Sequence, residues 1–194
     1  MSKTILALTA AAIMAAISPI TLNAQTRVDS GPNTMRPAAA LQVRGMRADQ
    51  YVKKSAMSDL FEIEASKLAL QRTENPDVKA FAQRMVDDHT QSTQKLQGLL
   101  QSASIGATPP TALDRAHQRM LEQLQNASAK QFDRLYMQMQ VKGHQAALKV
   151  QQGYSRHGDS DQLKSFASDA RSMVQDHLNE ARQILRGLDR HRAG

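Results

Sequence analysis

The sequence predicts an all-α protein in which four long helices form an antiparallel bundle built from two similar helical hairpins. Aromatic residues make up 4% of the 194 residues and Trp is absent, which is typical of helical proteins rich in Ala, Leu, Gln, Lys and Arg. Apolar residues recur at helical spacing in four long segments. Residues 78–89 also return in altered form at 163–177, which indicates a duplicated hairpin.

The repeat preserves a phenylalanine and a histidine in each copy. Phe81 precedes His89 by eight residues, and Phe166 precedes His177 by eleven, so each pair stays on about one helix face. The residues shared by the two copies are Lys79, Phe81, Ala82, Met85, Val86, Asp88 and His89, matched by Lys164, Phe166, Ala167, Met173, Val174, Asp176 and His177.

The N-terminal segment, residues 1–24, is typical of a secretory signal. Lys3 supplies its positive charge, residues 5–17 are apolar, and Ala24 offers a small residue before a cleavage site. The apolar run is too short to span a bilayer comfortably, although an uncleaved anchor is the alternative interpretation. We therefore expect export to the periplasm or an outer-membrane-associated location, with no transmembrane segment after cleavage.

Three further regions follow from composition and periodicity. Residues 25–47 contain Pro, Gly and Arg without a period and are interpreted as a flexible basic linker. Residues 48–189 carry the helical periodicity, and residues 190–194 form a basic tail. The formal charge of +7 would allow binding to anionic envelope components such as lipopolysaccharide. No nucleic-acid-binding module is recognisable.

The first hairpin is predicted from about residue 49 to residue 102. Asp49 is placed as the N-cap of the first helix, which ends near Arg72. Asn75 caps the second helix, and Pro76 occupies its first position, where its missing N–H costs nothing.

The second hairpin follows a short connecting helix, predicted over residues 112–125 and opened by Thr111. Ser128 opens the third long helix, which is predicted to end near Tyr154. Asp159 is placed as the cap of the fourth. The predicted buried stripe of that helix comprises Leu163, Phe166, Ala170, Met173, His177, Ala181, Ile184 and Leu188.

Several motifs resemble a bacterial domain-of-unknown-function family of predicted periplasmic or outer-membrane proteins. The resemblance covers about residues 51–185 and implies an exported, ferritin-like bundle, without supplying an activity. The motifs that carry it are Phe61-Glu62-Ile63-Glu64, Leu68-Ala69, Val78-Lys79-Ala80-Phe81-Ala82, Met85-Val86-Asp87-Asp88-His89-Thr90, Phe132-Asp133-Arg134-Leu135-Tyr136, His144 and His177-Leu178.

Candidate metal ligands lie near the middle of each long helix, so they could meet at one level. They are Glu62 or Glu64, His89, His144 and His177. Cys is absent, which excludes thiolate ligands, disulfides and a Cys nucleophile. A set of three histidines and one glutamate suits Zn, Mn or Fe(II). The alternative is a hydrogen-bonded polar layer that holds no metal.

Two further observations bear on the kind of metal. The Glu-x-x-His pairs of ferritin-like di-iron centres are missing, because Val86 and Val174 precede the two repeat histidines by three residues. Met85 and Met173 each lie four residues before a histidine and so share its helix face, which would favour copper. Methionines at such spacing are also ordinary core residues. Asp88 and Asp176 point away from the histidines that follow them in the sequence. We expect them to form salt bridges or to contact metal-binding side chains without binding the metal themselves.

The sequence therefore leaves three functions open. The leading interpretation is an exported, non-catalytic envelope protein, a binding or stress-related module with no cofactor. The second is a metal-binding or metal-dependent redox protein, and the third is a basic adaptor for anionic envelope polymers. A non-enzymatic role is favoured, without deciding the question, because no phosphate-binding loop or nucleophile elbow is present.

Overall fold

The computed structural model describes residues 45–193, with side chains to Arg190, and this part of the chain is all α. The predicted signal segment, residues 1–24, and nearly all of the predicted linker lie outside the described residues. The described range contains five helices and no strand: α1 Ala48–Arg72, α2 Pro76–Ser102, α3 Arg115–Asn126, α4 Ala129–His157 and α5 Asp161–Ala193.

The four long helices contact one another in a closed order. α1 packs along α2, and α4 packs along α5; α1 also contacts α4, and α2 contacts α5. Short connections, residues 73–75 and 158–160, join the helices of each pair, which is typical of antiparallel neighbours. The short helix α3 lies against α1 and α4.

Local capping explains where the first helices begin. Asn75 Oδ1 accepts hydrogen bonds from the backbone N–H groups of Asp77 and Val78, at 3.0 and 3.1 Å, and Pro76 opens α2 as predicted. α1 begins at Ala48, two residues before the start that an Asp49 cap implies, so Asp49 lies in the first turn and Arg47 occupies the N-cap position.

The starts of α3 and α5 differ from the prediction. α3 begins at Arg115 and not at residue 112, because Asp114 Oδ1 accepts from the N–H groups of Ala116 and His117, both at 3.0 Å. Asp114 is therefore the cap that was assigned to Thr111. α5 begins at Asp161.

The residues around the α4–α5 connection have other roles than predicted. α4 continues to His157, three residues beyond the predicted end at Tyr154. Asp159, predicted to cap α5, instead accepts a hydrogen bond from the Tyr154 hydroxyl, with an O–O distance of 2.9 Å. α5 also extends to Ala193, through residues that the sequence assigned to a basic tail.

The buried face of α5 is also displaced from the predicted stripe. Ala167 and Val174 are buried, whereas the neighbouring Phe166 and Met173 are only half-buried. His177 and Ala181 are buried as predicted. The large side chains that periodicity placed in the core therefore lie at its margin, and smaller ones face the other helices.

The interior consists of two hydrophobic clusters with a polar layer between them. One cluster includes Phe61, Phe81 and Tyr136, and the other includes Tyr51 and Leu163. Along each long helix, several buried polar side chains lie between the residues of these two clusters or, in the case of Glu62, directly after Phe61 of the first cluster. They are Asp59 and Glu62 on α1, His89 and Ser92 on α2, Gln140 and His144 on α4, and His177 on α5. The polar layer is the candidate functional site.

None of the described helices combines the length and the apolar character needed to cross a membrane.

Candidate metal centre

Three histidines from three different helices converge in the polar layer. His89 on α2, His144 on α4 and His177 on α5 are each at most 2% exposed. One ring nitrogen of each lies within 4.8 Å of the corresponding nitrogens of the other two. The ring centroids are separated by 5.3 to 5.8 Å. The structure thus brings together the three histidines that the sequence proposed as ligands.

Each histidine also contacts an oxygen atom on the side that faces away from the other two. His89 Nδ1 lies 2.8 Å from Asp59 Oδ1, and His177 Nε2 lies 2.9 Å from Asp88 Oδ2. His144 Nδ1 lies 2.9 Å from the backbone oxygen of Gln140. A carbonyl oxygen only accepts hydrogen bonds, and so does an ionised carboxylate. These partners therefore place the ring hydrogens on the outward nitrogens.

The inward nitrogens of His144 and His177 consequently present lone pairs to one another. His144 Nε2 is 3.3 Å from His177 Nδ1. His89 Nε2 is fully buried and has no hydrogen-bond partner among the described residues. Buried polar atoms are almost always paired, and lone pairs that face one another repel. A cation shared by the three nitrogens would satisfy all of them.

Two buried carboxyl groups lie beside the histidines. Asp59 and Glu62 lie three residues apart on α1 and are 4% and 2% exposed. Within residues 45–193, neither forms an ion pair with a Lys or Arg side chain. Burial raises the pKa of Glu62, although His89 and a hydrogen bond from Gln140 act in the opposite direction. This environment favours a positive charge at the cluster.

The three imidazoles respond differently to burial. Burial lowers the pKa of His144 to about 3 and that of His177 to about 4, the latter despite the hydrogen bond to Asp88. Burial also disfavours the charged form of His89, but the hydrogen bond and charge of Asp59 outweigh it and raise the pKa. Neutral imidazole is the form that binds metal ions, and His144 and His177 are held in that form at neutral pH.

The two predicted glutamate ligands lie in different places, and neither belongs to the cluster. Glu62 Oε1 is 3.9 Å from His144 Nδ1, which is the outward nitrogen of that ring, and Glu62 Oε2 accepts from Gln140 Nε2 at 2.6 Å. The Glu62 carboxyl group therefore lies on the side of the His144 ring that faces away from the other two histidines. Glu64 is exposed and pairs with Lys67 at 3.0 Å.

The two methionines that would indicate copper differ in burial. Met85 is fully buried in the hydrophobic cluster that contains Phe61 and Phe81. Met173 is half-buried, because α5 turns Val174 towards the core in its place. Both observations agree with ordinary packing roles.

The sequence did not identify Asp59 as part of the site. The available signal was a charged residue at helical spacing from Val52 and Ala56, within an apolar stripe. Asp88 was expected in a contact behind a ligand, and it makes one with His177 of another helix. Asp176, its counterpart in the repeat, is exposed.

The fold and the site define an all-α protein with a buried three-histidine cluster backed by carboxylates. The chain belongs to the family described as domain of unknown function DUF4142, which matches residues 32–184. This agrees with the resemblance to a domain of unknown function noted in the sequence. No curated protein matches the chain by sequence.

Two solved structures have a similar fold. A DUF305 fragment from Deinococcus radiodurans is 14% identical, with a TM-score of 0.61 over 70% of this chain and 93% of that one. CopM in its Cu(II)-bound form is 16% identical, with a TM-score of 0.63 over 74% of this chain and 98% of that one. At these identities, the likeness establishes a shared fold.

Proposed function

We propose that this protein binds one divalent transition-metal ion, Cu(II) or Zn(II), through His89, His144 and His177. The observation that carries the proposal is the orientation of the three rings. Each has its outward nitrogen bonded to an oxygen and its inward nitrogen directed at the cluster. This is the arrangement in which an oxygen behind each histidine fixes the ring and increases its basicity as a ligand.

The spacing of the inward nitrogens suits one ion. With a metal–nitrogen distance of 2.0–2.1 Å and tetrahedral angles, two ligand nitrogens lie about 3.3 Å apart. His144 Nε2 and His177 Nδ1 are 3.3 Å apart, and the whole set falls within 4.8 Å. A small movement of His89 towards the other two would complete the site.

The donor set favours copper or zinc over a di-iron centre. Imidazole nitrogens suit Zn, Cu, Ni and Fe, and Cu(II) generally binds such sites most tightly. The only carboxylates in the layer lie behind the histidines, where they contact outward ring nitrogens. The structurally similar CopM is described in a Cu(II)-bound form, which supports testing Cu(II) first.

Binding, and not catalysis, agrees best with the burial of the cluster. The three histidine side chains are at most 3% exposed, so an organic substrate has no access to a bound ion. The positions of Glu62 and Glu64 likewise favour a three-histidine site over the three-histidine, one-glutamate set considered from the sequence.

A second part of the proposal concerns the arrangement of the four long helices. We infer that α1, α2, α4 and α5 form a ferritin-like antiparallel four-helix bundle, supported by the closed order of their contacts. Engineered cysteine pairs between α1 and α4, or between α2 and α5, would test it cleanly because the chain has no Cys. Failure of both pairs to cross-link would contradict the bundle.

The cellular location is a proposal from residues 1–24. We expect the segment to direct export and to be removed, so that fractionation finds the protein in the periplasm or with the outer membrane. N-terminal sequencing of the purified protein should begin near residue 25, and a start at Met1 would contradict cleavage. The basic charge also supports a proposal that the protein binds an anionic polymer such as lipopolysaccharide. The affinity of such binding should fall steeply as the salt concentration rises.

Metal content measured by mass spectrometry tests the proposed function. Protein purified from its native envelope without chelators or tags should contain about one Cu or Zn per chain, and the chelator-treated protein should bind one equivalent on titration. His177→Asn should abolish stoichiometric binding without unfolding the protein, as judged by circular dichroism.

The matched control is His117→Ala. His117 also contacts an aspartate, Asp114, at 2.8 Å, but it lies on α3, does not belong to the three-histidine cluster, and is partly exposed. This substitution should leave the stoichiometry unchanged. Equal metal binding by wild-type and His177→Asn protein would refute the assignment of the site.

A further inference from the structure

The histidine cluster is sealed on one side and close to solvent on the other. On the α1 and α4 side, Glu62 and Gln140 are 2% and 0% exposed, and the Asp59 side chain is 6% exposed. On the α2 and α5 side, Asp88 has a side chain that is 33% exposed while it contacts the fully buried His177. Asp88 is therefore the one outer partner of the cluster that reaches the surface.

An ion pair covers this contact. Arg84, one turn before Asp88 on α2, donates from Nε to Asp88 Oδ2 at 3.3 Å and from Nη1 to Glu180 Oε2 of α5 at 2.7 Å. Glu180 lies three residues after His177 on the same helix. Asp88 Oδ2 thus accepts from both Arg84 and His177, so one carboxylate oxygen joins the surface pair to a candidate ligand.

We infer that the metal ion reaches and leaves the histidines between α2 and α5, at Asp88, and that the Arg84–Glu180 ion pair restrains this route. The inference rests on the proposed metal binding. Asp88 is the accessible carboxylate where an incoming cation can first bind, and His177 is the ligand directly behind it.

Exchange kinetics test the route separately from binding. Apo full-length protein is mixed with Zn(II), and loaded protein is mixed with a chromogenic chelator, in a stopped-flow instrument. Arg84→Ala should accelerate both uptake and release by about three- to fivefold, the size expected for a partly exposed ion pair. The stoichiometry should remain that of the wild type, because none of the three histidines is altered.

Glu180→Gln distinguishes restraint from simple charge effects. Removal of an acidic residue near the route should slow the approach of a cation if only electrostatic attraction matters. If the ion pair restrains the route, Glu180→Gln should instead accelerate uptake and release, as Arg84→Ala does. We expect both variants to accelerate metal exchange, although Arg84→Ala removes a positive charge and Glu180→Gln removes a negative one.

The matched controls are Arg134→Ala and Asp189→Asn. Arg134 and Asp189 join α4 to α5 through an ion pair of 3.2 Å with similar exposure, away from Asp88. These controls should exchange metal at the wild-type rate. Rates for Arg84→Ala and Glu180→Gln that equal those of the controls would overturn the route while leaving metal binding intact. A wild-type protein that binds no Zn(II) or Cu(II) would overturn both proposals.

Discussion

The imidazoles of His144 and His177 face each other with Nε2 of the first 3.3 Å from Nδ1 of the second. Their outward nitrogens contact the Gln140 carbonyl and the Asp88 carboxylate, so both inward nitrogens present lone pairs. This contact is unfavourable between two neutral rings and favourable when a cation lies between them. The predictions about metal affinity and metal-linked stability depend on it.

Asp59→Asn is expected to weaken metal binding without abolishing it. The substitution retains an oxygen that can accept from His89 Nδ1 but removes the negative charge 2.8 Å from the ring. Loss of such a partner typically reduces metal affinity by about 10- to 100-fold. Competition titration with a chelator of known affinity measures the change.

The control for Asp59→Asn is Asp114→Asn, since Asp114 makes a contact of the same 2.8 Å length with His117. It should leave the affinity unchanged. A comparable loss in both variants would show that general charge, and not the partner of His89, determines binding.

Gly143→Ala and Gly153→Ala should differ in their effect on stability although both lie in α4. Gly-to-Ala in a helix interior stabilises by about 1 kcal/mol when space is available, and a Cβ at Gly153 meets nothing within 4 Å. A Cβ at Gly143 would lie 3.1 Å from Glu62 Oε1. Glu62 is buried and bonded to Gln140 at 2.6 Å, so it cannot withdraw freely.

We therefore expect urea denaturation to give a higher free energy of unfolding for Gly153→Ala and an unchanged or lower one for Gly143→Ala. Equal stabilisation by the two substitutions would show that the Glu62 carboxyl group is free to move away from α4.

The helices and the three histidines were predictable from the sequence, whereas the contacts between helices were not. Asn75 and Pro76 determine the start of α2 through local hydrogen bonding, which sequence spacing reports directly. The pairing of Asp88 with His177 depends on how α2 and α5 pack. The same is true of Glu62, whose helix position was compatible with a ligand. The side-chain rotation of Glu62 decides on which side of the His144 ring its carboxyl group lies, and helical periodicity does not specify that rotation.

Stability should fall at alkaline pH because the three tyrosines of the chain are buried. Burial raises the pKa of Tyr51, Tyr136 and Tyr154 above the ordinary value of 10. A group whose pKa is raised by folding contributes stability that is complete below its unfolded pKa and is lost as the pH rises above it. The free energy of unfolding should therefore decrease from about pH 10 upwards.

Tyr136→Phe tests this linkage. Each such tyrosine contributes a slope of about 1.4 kcal/mol per pH unit once the unfolded form is ionised, so the variant should lose stability less steeply above pH 10. At neutral pH it should be less stable than the wild type, because Ser66 loses its hydrogen bond to the Tyr136 hydroxyl, whose O–O distance is 2.8 Å. Parallel alkaline profiles for the two proteins would contradict the assignment.

Metal ions should stabilise the folded protein through the three-histidine cluster. A ligand that binds only the folded state at 100 times its Kd adds about 2.7 kcal/mol to the free energy of unfolding, so Zn(II) should raise the Tm of chelator-treated protein. His144→Gln removes one inward nitrogen and should eliminate most of this increase. It should also lower the stability of the metal-free protein, because the Gln140 carbonyl loses the hydrogen donated by His144 Nδ1. Differential scanning calorimetry with and without Zn(II) separates the two effects. His117→Ala should retain the full metal-dependent increase, and an equal increase in His144→Gln would place the stabilising ion elsewhere in the chain.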